Sequence, residues 1–179
     1  MDDAAIAREG FEILHTKMAA CIGAAHGMAD RLYAGTEAYV VFALDHPAHF
    51  RVMFRPDVVD MTRFPEAKCS SVLALSHLRG LVHELRGTSA AAATPEDDVW
   101  TSLLWSTAHG LACLLLDGPL TMMVPCIDRT AHIREVLHAL TALVVPPSGS
   151  GPDKPRRPGP KPRGDTSRGR PATRTRRMN

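Results

Sequence analysis

No stretch of this 179-residue chain approaches the roughly 18 uninterrupted apolar residues of a bilayer-spanning helix, which argues against a membrane protein. The N-terminus opens Met1-Asp2-Asp3, acidic where a secretory signal would be basic, so a cytoplasmic location is expected. The four cysteines, Cys21, Cys69, Cys113 and Cys126, contain no C-x-x-C pair, which removes zinc-knuckle and dithiol redox chemistry and leaves reduced thiols as the expectation. There is no G-x-S-x-G, no glycine-rich phosphate loop and no serine, histidine and aspartate set that the order of helices would bring together, so no catalysis is expected. His46 and His49, spaced three apart across a proline, and His132 and His138, spaced six apart, are poor ligand pairs for one metal; no metal or cofactor is expected. Segments of alternating apolar and polar residues are also missing, which leaves an all-α fold.

What the chain does contain is enough apolar material for one well-buried core, 45% of its residues. Its net charge of +2 conceals a division: residues 1–145 carry 11 Lys/Arg against 17 Asp/Glu, whereas residues 146–179 carry 10 against 2. Eight of the 14 prolines and five of the 13 glycines also fall in those last 34 residues, with no aromatic among them. Such a segment buries too little surface to offset its conformational entropy, so a helical domain at 1–145 and a disordered basic tail at 146–179 are expected. The tail has the composition for non-specific contact with nucleic acid through phosphates, without base stacking, or simply for solvation.

Six helices follow from the spacing of apolar residues. The first covers about 4–25, with Phe11, Leu14, Met18 and Cys21 inward; a second runs from about 31 to 44 after Gly27 and an Asp30 N-cap. Pro47 suits the first turn of a short third helix, 47–54, with Phe50, Met53 and Phe54 on its apolar side. A fourth, about 66–86, shows Val72, Leu75, Leu78, Val82 and Leu85 and is capped by Gly87. Thr94, Pro95 and Asp97 form a capping-box start for a helix of 95–116, and a last one spans about 128–144 with Ile133, Val136, Leu137, Leu140 and Val144.

The most informative stretch is 104–120. Trp105 and His109 are four apart and share one helical side, Gly110 leaves a gap beside them, and Asp117-Gly118-Pro119 stops the helix. The pattern Trp105-x-x-x-His109-Gly110 followed by Asp117-Gly118-Pro119-Leu120 resembles the Trp-His-Gly signature of a subclass of TetR-like regulators, within their C-terminal ligand-binding and dimerisation domain. The block at 39–54, with His46-Pro47 and Met53-Phe54, is similar to the segment that precedes that signature, and Ala7-Arg8-Glu9-Gly10-Phe11 is similar to the first helix of such domains. The resemblance covers roughly residues 5–145. Nothing in the sequence reads as a helix-turn-helix, so a sensing domain without a DNA-reading head is the expectation for this chain.

That resemblance implies a small, mostly apolar effector held among Phe42, Phe50, Met53, Phe54, Trp105 and His109, with His109 orienting a polar group of the ligand. From periodicity alone the same side chains serve equally as packed core, with His109 bonded to a backbone carbonyl. It also implies a homodimer through the helices at 95–116 and 128–144; the first of these is apolar on two sides, with Trp100, Leu104, Leu111 and Leu115 on one and Leu103, Gly110 and Leu114 on another. The alternative is a helical interaction module that uses its basic tail to contact nucleic acid or an acidic partner.

Overall fold

Helix follows helix in the computed structural model, which describes residues 2–55, 57, 59–124 and 128–145. Among these residues there are seven α-helices: α1 (Asp3–Ala24), α2 (Met28–Asp45), α3 (Pro47–Met53), α4 (Pro65–Arg86), α5 (Pro95–Leu116), α6 (Pro119–Met123) and α7 (Arg129–Val144). No strand occurs among the described residues. The proposed disordered tail, 146–179, and Cys126 lie outside them.

Local chemistry accounts for most helix boundaries. Asp2 caps α1 by accepting from the Ala4 backbone N–H, and Asp128 caps α7 by accepting from those of Thr130 and Ala131. Pro47, Pro65 and Pro95 each stand in a first turn, where a missing N–H costs no intrahelical bond. The start of α5 is a full capping box: the Thr94 side chain accepts from the Asp97 N–H while Asp97 accepts from the Thr94 N–H at 2.7 Å. Asp97 also accepts from Arg86 Nε at 2.6 Å and Thr88 Oγ1 at 3.2 Å, so this buried carboxylate fastens the end of α4 to the start of α5.

Two boundaries and one face differ from the sequence expectation. Helix α2 begins at Met28 after Gly27, which places Asp30 in the first turn, beside the positive end of the helix dipole, instead of at the cap. At the other end of α5, Gly118 adopts φ 87°, a left-handed conformation, and Pro119 opens the short α6 where a loop was expected. A 3-10 turn occupies Ala90–Ala92. On α4 the buried side is Ala67, Ser70, Ala74, Leu78, Leu81 and Val82, whereas Val72 is 58% exposed. Small residues at three of those positions admit α1 at close range, and this rotates the helix away from its most apolar stripe.

Helix α2 sits at the centre, touching α1, α3, α4, α5 and α7, while α1 packs along α4. Its Leu32, Val40, Phe42 and Ala43 are fully buried. Helix α7 packs on α2 through Ile133, Leu137 and Leu140, and α5 packs on α2 and α4 through Leu104, Ala108, Leu111, Ala112 and Leu115. By length and composition α5 is apolar enough to cross a bilayer, with a mean hydropathy of 1.4 over its best window. About a third of that window, 33%, is buried, as a stripe that faces neighbouring helices, and the first turn carries Glu96, Asp97 and Asp98.

Candidate functional site

The site is built where α2, α3 and α5 meet. Phe50 and Phe54 come from the short α3 and its C-cap, Tyr39 from the middle of α2, and Trp105 and His109 from successive turns of α5. Phe54 is the hub: its ring centroid lies 4.9 Å from His109, 5.3 Å from Phe50, 5.6 Å from Phe11 and 5.9 Å from Trp105. Edge contacts of this kind add to plain burial because ring edges are positive and ring faces negative.

One hydroxyl organises the polar part. Trp105 Nε1–H donates to Tyr39 Oη at 3.1 Å, and Tyr39 Oη lies 2.8 Å from His109 Nδ1. Indole is a donor only, so the phenol accepts from it, and the phenol's own proton is available to His109. With that proton donated, Nδ1 of His109 is the acceptor and the imidazole proton resides on Nε2. Burial lowers the His109 pKa from its ordinary value, which keeps the ring neutral, and burial pushes the Tyr39 phenol well above its own. The partner of His109 Nδ1 is a side chain from another helix, not the backbone carbonyl of the core-histidine alternative.

Two cavities adjoin this cluster. The wider, about 630 Å³, is lined by Met53, Phe54, Val59, Asp60, Met61, Thr62, Trp105, Ser106 and His109. A narrower crevice, about 260 Å³, runs between α1 and α4, with Phe11, Leu14 and Met18 on one side and Val72, Leu75 and Leu78 on the other. Met53, Phe54, Met61 and Trp105 line both, so they form a shared wall. Trp105 is 37% exposed, with its indole edge tied down and the rest of the ring open to these spaces. Met53 is held against α1 because Gly10 has no side chain: a Cβ there would overlap Met53 Sδ and stand 3.0 Å from Met53 Cγ.

Of the six residues expected to hold an effector, Met53, Phe54, Trp105 and His109 line the wider cavity. Phe50 stands behind them, 5.1 Å from the His109 ring, and lines neither space. Phe42 is set apart: it is fully buried and stacks on His46 at 5.2 Å. Tyr39 and the loop residues Val59, Asp60, Met61 and Thr62 join the site without having been singled out from sequence. Tyr39 reads as one more inward helical residue, and the loop carries no periodicity. A further pair, His15 and His77, is joined across α1 and α4 at 2.9 Å.

The family model described as tetracyclin repressor-like, C-terminal domain, matches residues 32–143. A solved structure titled as a protein with unknown function from Rhodococcus sp. RHA1 is similar in fold, with a TM-score of 0.61 and 21% identity over 79% of this chain and 69% of that one. No curated protein matches the chain. The all-helical architecture and the matched span agree, and the chain belongs to the tetracyclin repressor-like C-terminal domains, the ligand-binding and dimerisation part of TetR-type transcription regulators.

Proposed function

We propose that residues 1–145 form the effector-sensing and dimerisation domain of a TetR-family regulator of the Trp-His-Gly subclass, and that the effector is a small, mostly apolar molecule. The observation that carries this reading is the wall that Trp105 and Phe54 share between the two cavities, with His109 offering Nε2–H beside it. An apolar body suits the crevice, and one polar group suits the wider space, the usual division of labour in a small-molecule site. Association of two copies through α5 and α7 is supported by Val99, Leu103 and Leu114 on the outer side of α5 and by Leu143 on α7, all exposed. The ten cations of the tail favour a secondary, salt-sensitive contact with phosphate backbones.

A thermal-denaturation series with 1-hexanol to 1-decanol tests the sensing role. Each added methylene removes enough apolar surface from water to tighten binding about three- to fourfold, seen as a rising melting temperature at equal ligand concentration. A flat response across the series contradicts the proposal.

A further inference from the structure

The charge distribution around the two cavities narrows the effector class. Among the described residues, Asp60 is the single charged side chain that lines either of them, and no lysine or arginine does. Thr62 holds this carboxylate in place, its N–H donating to Oδ1 at 2.9 Å and its hydroxyl at 2.6 Å. Those bonds leave Oδ2 with no partner among the described residues. They also hold the Asp60 carboxyl below its ordinary pKa, so it is ionised at neutral pH; Arg63 adds a smaller effect in the same direction but lines neither cavity. His109 supplies no counter-charge, because burial favours its neutral form.

The wider space therefore presents one negative charge together with the part-exposed face of Trp105 and the ring of Phe54. An aromatic face attracts a cation through its quadrupole, most strongly for tryptophan, and a carboxylate beside it adds a direct charge interaction. A carboxylate-bearing ligand meets the reverse: repulsion from Asp60 and no cationic partner. Among the described residues no charged group lines the crevice beyond the shared wall, which suits an apolar body. We propose that the effector is a monocationic amphiphile, its alkyl or aryl body in the crevice between α1 and α4 and its ammonium group between Asp60 and Trp105. This rests on the sensing role proposed above.

The experiment is isothermal titration of the full chain with three ligands of equal chain length below their micelle concentrations: decyltrimethylammonium, decanoate and 1-decanol. Decyltrimethylammonium binds about tenfold tighter than 1-decanol, and decanoate binds more weakly than either. In Asp60→Asn, which keeps an acceptor for Thr62 at a surface position, the ratio of cation to alcohol affinity falls to about twofold or less. Circular dichroism reports that the variant is folded. Equal or tighter binding of decanoate, or an unchanged ratio in the variant, overturns the proposal. If 1-decanol binds at one saturable site and the cation gains nothing over it, the cationic class is wrong and the sensing role stands. If none of the three binds, both fall.

Discussion

The Tyr39 hydroxyl lies 2.8 Å from His109 Nδ1 while accepting the Trp105 indole N–H at 3.1 Å, so one oxygen on α2 links two successive turns of α5. Donation by the phenol makes Nδ1 the acceptor and leaves Nε2–H as the group available to a ligand. In Tyr39→Phe both partners lose their hydrogen bond in a half-buried setting, a cost of about 1 kcal/mol measurable by urea denaturation. The more specific readout is nitrogen-15 NMR of His109: the native chain shows the Nε2–H form, and the variant shows a mixture of tautomers. A native spectrum dominated by the Nδ1–H form contradicts the geometry.

Acid stability follows from three groups. Burial lowers the pKa of His109, and burial together with the neighbouring His15 lowers that of His77. Below about pH 6.5 the unfolded chain takes up protons that the folded chain resists, so stability declines as pH falls through this window and levels off below the folded values. Asp97 acts at lower pH: the Thr94 backbone N–H, aided by Arg86, Thr94 and Thr88 side chains, lowers its pKa from 3.8 to about 2. Its contribution is complete above the unfolded value and disappears as pH drops toward about 2. Urea midpoints at about pH 7.5, about 5 and about 3 should fall in that order. No change between the first two contradicts the histidine assignment.

The capping box at the start of α5 gives a third expectation. Thr94→Ala removes the side-chain acceptor for the Asp97 N–H and lowers stability by about 1 kcal/mol. Asp97→Ala is more damaging, because Arg86, Thr88 and Thr94 all lose an acceptor at once. Equal midpoints for the two variants in chemical denaturation would remove Asp97 from its role as the fastening between α4 and α5.

Charge placed on the outer side of α5 tests the dimer. Leu103 and Leu114 are 49% and 44% exposed, and Gly110 lies between them in sequence with open space where a Cβ would stand. Leu103→Glu and Leu114→Glu should convert a dimer to a folded monomer in sedimentation analysis, since an unpaired carboxylate in an apolar interface is strongly unfavourable. Wild-type chain sedimenting as a monomer at tens of micromolar, or a dimer untouched by both changes, excludes this face.

Much of the fold was legible because its signals are local. Prolines at first turns, the Thr94 and Asp97 spacing and the Gly87 cap set helix ends through interactions within a few residues, and the structure follows them. What escaped depends on contacts between distant segments. The buried side of α4 is decided by how closely α1 approaches Ala67, Ser70 and Ala74, which the periodicity of α4 alone does not contain. Phe42 and Phe54 look alike in sequence, yet one is sealed in the core on the buried side of α2 and the other borders two cavities. Tyr39 owes its part to groups 66 and 70 positions further along the chain. Pro119 stops α5 and opens α6 at once, because a proline that ends one helix also suits the first turn of the next.

The central claim is that an apolar ligand lies against Trp105. The Trp100→Phe variant leaves Trp105 as the single tryptophan, so its fluorescence reports this site alone. Titration with 1-decanol should shift and saturate the emission at one ligand per chain, and Phe54→Ala should weaken that saturation at least tenfold by opening the shared wall. An emission spectrum that stays constant, or drifts without saturating while the chain remains folded, contradicts the account.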